Sequence, residues 1–213
     1  EDLQVVVLTG DGSAYGMGLS ATSAAIDRGL DFIYLCYDNE GYGNTGQQTS
    51  AGSPHGARTA TDPASSAVAG YKKDLFSIWA ANKPTYVATV VASEPLDLAR
   101  KIEEARALEG PRMIIALAPC PTGWGFEPSQ SAEIGRLAVK TGIWPLKKWQ
   151  NGKLVHTRVP HPRLPVEDYL KTQRRFAHLF EPRRDEVQLA EIQASVDDYW
   201  REIEEAKSSS RGD

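Results

Sequence analysis

The chain has 213 residues, 41% of them hydrophobic, and a formal net charge of −4. That is enough apolar material for one α/β core with a modest appendage. The acidic balance offers no positive field for nucleic acid or for an anionic lipid surface.

No stretch approaches the roughly 20 apolar residues of a membrane span, and the opening EDLQVVVLTG lacks the basic region and apolar block of a secretory signal. Two cysteines, Cys36 and Cys120, are too few for a disulfide framework and suit a reducing compartment, so a cytoplasmic location is expected. An apolar strand starts almost at residue 1 with nothing before it to cover it, which reads as a domain cut from a longer subunit.

Short β-branched runs alternate with helical patterns through the first half, the mark of an α/β fold with a mostly parallel sheet and helices on both faces. Strands are expected at Val5–Thr9, Phe32–Tyr37, Thr85–Val91 and Arg112–Leu117. Helices are expected at Met17–Arg28, Asp74–Ala81 and Leu96–Leu108, the last opening with Pro95 and carrying Leu96, Ala99, Ile102 and Ala105 at helical spacing.

Between the second strand and the next helix, Asn39 to Ser66 is rich in Gly, Ser and Thr and has no periodicity. Long structureless segments in compact domains are commonly functional. After Cys120, PTGWGFEP reads as a loop, and Ser129 to Thr141 as a helix with Ser129 as N-cap and Gly142 as stop. The character then changes, which divides the chain into a domain of residues 1–142 and a C-terminal extension of residues 143–213. In the extension, Ile143–Trp149 and Lys153–Val159 flank Gln150–Asn151–Gly152, a hairpin signal. A charged helical tail, Asp185 to Ala206, reads as a solvated or partner-facing surface, and the final SSSRGD as a loose end.

The chemistry is concentrated where two strands end. The first runs into Gly10–Asp11–Gly12–Ser13, the second into Asp38–Asn39–Glu40–Gly41–Tyr42–Gly43–Asn44. The carboxyl edge of a parallel sheet is where ligands bind, and loops from neighbouring strands can meet there around one ion. Glycines beside Asp11 let the backbone approach a diphosphate, and a carboxylate there can hold a Mg²⁺ that bridges phosphate oxygens. Asn39, 28 residues further on, supplies a second oxygen without more charge.

GDG, a spacer of this length and an Asn after an apolar strand resemble the signature of thiamine-diphosphate enzymes. The run YDNEGYGNTGQQTS, with Tyr42–Gly43–Asn44–Thr45–Gly46 inside it, and the later CPTGWGFEPSQSAEIGRLAVKTGIWPL narrow the likeness. Both are similar to the beta subunits of pyruvate and related 2-oxoacid:ferredoxin oxidoreductases. Together these matches cover nearly all of residues 4 to 149.

The resemblance implies a thiamine-diphosphate-binding fold over residues 1–142. It implies metal coordination by Asp11, the Asn39 side chain and the Gly41 carbonyl, and contacts of Gly10, Gly12 and Ser13 with the diphosphate. Asn44 would serve the reacting group close to the thiazolium, with Thr45 beside it, and Cys120 would ligate a shared [4Fe–4S] cluster whose other thiolates this chain lacks. The glutamate that activates the coenzyme comes from elsewhere in this family, so Glu40 is not given that task. The implied partners are the other oxidoreductase subunits, ferredoxin, coenzyme A and a 2-oxoacid, pyruvate by default.

Two other readings compete: a non-redox thiamine-diphosphate 2-oxoacid decarboxylase subunit, and a non-catalytic assembly fragment. Cys36, within an apolar strand, is expected in the core. His55 reads as a solvated loop residue, and Arg58 as a partner for a carboxylate of substrate or coenzyme A. His156 and His161 lack metal-ligand spacing.

Overall fold

A computed structural model describes residues 3–62 and 67–209. The end of the Gly/Ser/Thr-rich segment, residues 63–66, and the terminal RGD lie outside the described residues. Four parallel strands carry the fold: β1 (Val6–Gly10), β2 (Phe32–Asp38), β3 (Tyr86–Val91) and β4 (Pro111–Leu117). A hairpin of β5 (Lys147–Gln150) and β6 (Lys153–His156) completes a six-stranded sheet of order β1-β2-β4-β3-β5-β6. The β5 strand runs antiparallel to β3, so the hairpin lengthens the sheet.

Alternation along each strand gives the sheet two apolar faces. One face, with Ile33, Ala88, Val90 and Ile114, is covered by Ala105, Leu98 and Ile102 of α3 (Pro95–Arg106). The opposite face is larger. It takes side chains from α1 (Leu19–Asp27), α2 (Leu75–Ala81), α5 (Ser131–Lys140), α6 (Glu167–Leu170) and α7 (Glu186–Ser209). The edge strand β1 is left uncovered, with Val6 and Leu8 53% and 67% exposed. No helix among the described residues is long and apolar enough to cross a membrane.

The expected strands and the helices at α2 and α3 form within a few residues of their expected ends. Asp74 caps α2 through its side chain, which accepts from the Ser77 amide. Four local expectations are corrected. The helix expected from Met17 starts at Leu19 and is preceded by a wide π turn over Gly12–Met17, which takes up the extra residue and closes with Gly18 N donating 2.7 Å to Ser13 O. PTGW, read as loop, is a short helix α4 (Pro121–Trp124), because Pro121 suits a first turn and Gly125 closes it at φ 73°.

Ser129 does not cap α5. Residues Pro128–Gln130 form a 3₁₀ turn, after which α5 begins at Ser131. The hairpin arms are shorter than expected, since Pro145 offers no amide to a ladder. Its turn is as the sequence implies, with Asn151 at φ 51° and Gly152 at φ 75°.

The charged tail needs the larger correction. Leu189, Ile192, Val196 and Trp200 recur at helical spacing on α7 and are all buried in the main core, leaving only the other face to solvent. Trp200 is 1% exposed, and its indole N–H donates 3.0 Å to the Gly142 carbonyl. Trp200→Ala therefore removes a large buried ring and orphans that carbonyl, and should cost about 3–5 kcal/mol. Denaturant unfolding checks this: a lowered midpoint at unchanged slope is expected, and a loss under about 1 kcal/mol would show that α7 does not stabilise the core.

Candidate functional site

β1 and β2 pair in parallel with Gly10 opposite Tyr37. Asp11 and the Asp38–Asn39 pair therefore leave the sheet side by side at its carboxyl edge. Asp11 is 1% exposed. The Asn39 amide lies 2.7 Å from Asp11 Oδ1 and 2.7 Å from the Gly41 carbonyl. With its nitrogen inward it donates to both; with its oxygen inward, three oxygens converge with no hydrogen among them. One carboxylate, one amide oxygen and one backbone carbonyl form the kind of donor set that a hard divalent cation takes.

The loop around this cluster is fixed from several directions. Trp124 Nε1 of α4 donates 2.8 Å to the Asn39 carbonyl. Glu40 adopts φ 61°, turning the backbone so that the Gly41 carbonyl comes back toward Asn39. The Ser50 hydroxyl donates to Asp11 Oδ2, and Gly52 N donates 3.1 Å to Ser50 Oγ. Gly52 is the residue that permits this approach: a Cβ there would lie 3.0 Å from Asp11 Oδ2 and 3.3 Å from Asp38 Oδ1. Gly12 likewise has no room for a side chain, because a Cβ would run into the Tyr42 ring.

Behind the cluster lies a buried charge network. Asp38 and Glu40 are 0% and 6% exposed, and Lys72 Nζ bridges them at 2.6 Å and 2.8 Å. Arg175 Nη2 donates 2.6 Å to Glu40 Oε2, and the Tyr15 hydroxyl donates 2.5 Å to Asp38 Oδ2. The Arg175 guanidinium also stacks 3.9 Å over the Trp124 ring.

Burial raises the Asp11 carboxyl to about 6, helped by the negative Asp38 and opposed by the Ser50 hydroxyl. Burial also raises Asp38, against the pull of Lys72. It works against Glu40 as well, but there Lys72 and Arg175 outweigh it and hold the carboxyl below its ordinary range. Lys72 stays protonated, since its two carboxylates overcome its own desolvation. A cation beside Asp11 would pull that carboxyl back toward its ionised form.

Gly10 and Ser13 sit at the same strand end, half-buried. Asn44 and Thr45 are placed differently: both are exposed, on a turn closed by Gly46 N donating 3.1 Å to Gly43 O. Cys120 is half-buried at the start of α4, its sulfur accepting from Gly123 N at 3.3 Å. Cys36 is wholly buried in β2, and burial pushes its thiol up.

His55 turns to the Ala69 carbonyl, 3.0 Å away, and stacks on Tyr71. Arg58 is tied through its backbone amide, 2.9 Å, to Arg175 O. Among the described residues no group of three or more His, Cys, Asp or Glu side chains is placed to hold a metal. Sequence reasoning passed over Ser50, Lys72, Arg175 and Tyr15. Asp38 was legible as a charge ending an apolar strand, whereas Arg175, 135 residues from Glu40, has no local signal.

A family model described as thiamine pyrophosphate enzyme, C-terminal TPP binding domain, matches residues 1–116. The pyruvate synthase subunit PorB of Methanosarcina barkeri is 46% identical over 201 residues, covering 92% of this chain and 68% of that protein. PorB of Methanocaldococcus jannaschii is 45% identical, covering 87% and 63%. The chain thus spans about two-thirds of these relatives' length. A solved 2-oxoglutarate:ferredoxin oxidoreductase from Magnetococcus marinus shares the fold, with a TM-score of 0.53, 24% identity, and coverage of 75% of this chain and 58% of that one.

Lys72 is the group on which the buried carboxylates depend. Lys72→Met should lower stability by about 3–5 kcal/mol near neutral pH, because two buried carboxylates lose their shared counter-charge. The deficit should shrink on acidification. With its pKa raised by burial, Asp38 takes a proton more readily in the folded chain than in the unfolded one, so lowering the pH favours the folded variant. Unfolding free energies at pH 8 and pH 5 check this, and an equal deficit at both values would contradict it.

Proposed function

Since the chain belongs to the thiamine pyrophosphate enzyme family, beside the pyruvate synthase PorB subunits, we propose that it binds thiamine diphosphate and a magnesium ion within a 2-oxoacid:ferredoxin oxidoreductase. The observation that carries this reading is the convergence of Asp11, Asn39 and the Gly41 carbonyl at one strand edge. These three residues would hold the ion. Gly10, Gly12 and Ser13 would face the diphosphate, where glycine allows close backbone approach.

When bound, thiamine diphosphate supplies the electron sink for decarboxylating a 2-oxoacid. The chain's own residues position and neutralise. Asp11, buried without an ion-pair partner and with its carboxyl raised to about 6, carries a charge that a cation beside it would stabilise. Lys72 and Arg175 keep Glu40 ionised and tied down, which leaves it unavailable as the acid that activates the coenzyme. That acid and the rest of the site would come from another subunit or domain, and the uncovered apolar edge of β1 supports such assembly.

Pyruvate is the proposed substrate, on the names of the relatives, with coenzyme A as acyl acceptor and ferredoxin as electron acceptor. The Magnetococcus marinus enzyme was solved with 2-oxoglutarate, coenzyme A and succinyl-CoA bound. Cys120 would give one thiolate to a [4Fe–4S] cluster. The only other cysteine is buried with its thiol pushed up, so three ligands must come from outside this chain. A reducing cytoplasm suits both free thiols.

Asp11→Asn should abolish magnesium-dependent binding of thiamine diphosphate by the assembled enzyme, because the charged ligand is lost. Calorimetric titration with and without chelator measures it; equal affinity for wild type and variant would remove the assignment. Asn44→Ala should leave coenzyme affinity within about twofold and lower turnover about tenfold or more, as expected where a contact to the reacting group alone is lost. Lost affinity with normal turnover per bound coenzyme would show the opposite role. Cys120→Ser should deplete cluster iron and stop ferredoxin reduction while magnesium and coenzyme still bind. A full-strength cluster signal by electron paramagnetic resonance in that variant would refute the thiolate role.

A further inference from the structure

A second site of different chemistry lies between the sheet and α7. A cavity of about 450 Å³ there is walled by Phe76, Ile115, Leu117, Trp144, Ile192 and Val196, which is within the size range of small-molecule pockets. Tyr15, Glu40 and Lys72 separate it from the Asp11 cluster, while Asp11, Asn39 and Gly41 take no part in its lining. The exposed residues Tyr71 and Asp74 stand at its margin.

One cation in this cavity has no ion pair among the described residues. Lys147, at the start of β5, is 7% exposed, and among the described residues its ammonium contacts ring faces and makes no hydrogen bond or ion pair. It lies between two rings, 4.4 Å from the centre of Phe76 and 5.1 Å from that of Tyr199. The other two lysines of the lining are already committed. Lys72 is matched by Asp38 and Glu40, and Lys73 Nζ donates 2.6 Å to the Tyr15 carbonyl. The Thr89 hydroxyl donates 2.6 Å to Pro145 O.

The acid nearest in influence, Asp74, spends its oxygens on Ser77 N, at 3.0 Å, and on the Ser77 hydroxyl, at 2.5 Å. Burial accordingly holds the Lys147 amine below its ordinary range, with only Asp74 opposing. Burying an ammonium without a partner is unfavourable. Rings on its flanks and apolar walls beyond leave one unmet need, a single negative charge at the end of an apolar body.

We propose that this cavity binds a medium-chain organic monocarboxylate, its chain against Ile115, Ile192 and Val196 and its carboxylate paired with Lys147. A lysine offers a point charge with no fork geometry, so the site recognises a single anionic head. The site shares none of the cluster's three candidate ligands, and its occupancy does not require thiamine diphosphate.

Octanoate and octan-1-ol, which share a chain and differ in charge, separate recognition of the anion from simple apolar partition. Calorimetry on the assembled oxidoreductase should show one octanoate per copy of this chain, bound at least about tenfold tighter than octan-1-ol, as one charge-assisted contact allows. Lys147→Met should weaken octanoate by about tenfold or more and leave octan-1-ol within about twofold. Val196→Phe, which fills the cavity from α7 and leaves the lysine in place, should weaken both by about tenfold or more. Retained thiamine diphosphate binding shows that each variant is assembled. Octanoate affinity unchanged in Lys147→Met, equal affinity of wild type for acid and alcohol, or no octanoate binding by wild type would each overturn the proposal.

Discussion

The parallel pairing of β1 with β2, Gly10 opposite Tyr37, is the constraint from which the candidate site follows. Residues that leave a parallel sheet at matched positions must emerge side by side, so a carboxylate following one strand and an amide following the next are held together by the backbone ladder alone. A slip of one residue would turn Asp38 toward the opposite face and separate Asn39 from Asp11. The β-branched and aromatic residues of β2, buried against β4 and the helices on its two faces, fix β2 in place, and the ladder from Val6 opposite Ile33 to Gly10 opposite Tyr37 sets β1 beside it. The convergence of Asp11, Asn39 and Gly41 is therefore a consequence of the sheet.

Placing acids at a buried strand end has a cost that the rest of the fold offsets. Asp38 and Glu40 reach the interior only because Lys72, Arg175 and Tyr15 meet them there. Arg175 arrives from a segment far along the chain and stacks on Trp124, whose indole in turn holds the Asn39 carbonyl. The loop that carries the candidate ligands is thus anchored to the C-terminal part of the chain by charge and to α4 by a hydrogen bond. Asp11 alone has no cationic partner within ion-pair distance, which distinguishes it from the other acids of the cluster and suits it to an external cation.

How much of this was legible depended on whether the cause was local. Apolar β-branched runs gave away β1 to β4, Pro95 gave away the start of α3, and Asn151–Gly152 the hairpin turn. Asp11 and Asn39 were legible because each follows a strand directly. The wide turn over Gly12–Met17 was not, since glycine permits it without demanding it. The apolar face of α7 was present as Leu189, Ile192, Val196 and Trp200, but the charged residues between them drew the reading toward solvent. Ser50, Lys72 and Arg175 owe their roles to tertiary packing, as does the attachment of β5 to β3, and no periodicity encodes those contacts.

Asn44 and Cys120 mark the other limit, because their proposed roles depend on atoms contributed by coenzyme, cluster or partner subunits. The central claim is narrower: Asp11 and its neighbours hold a divalent ion against a diphosphate. Pulsed electron paramagnetic resonance of the assembled enzyme, loaded with Mn²⁺ and thiamine diphosphate after labelling its aspartate carboxyls with ¹³C, tests it most directly. The account predicts a single bound ion that couples both to ³¹P of the diphosphate and to a carboxylate ¹³C. Coupling to ³¹P with no carboxylate ¹³C would mean that the coenzyme carries the ion without Asp11, and would contradict the account.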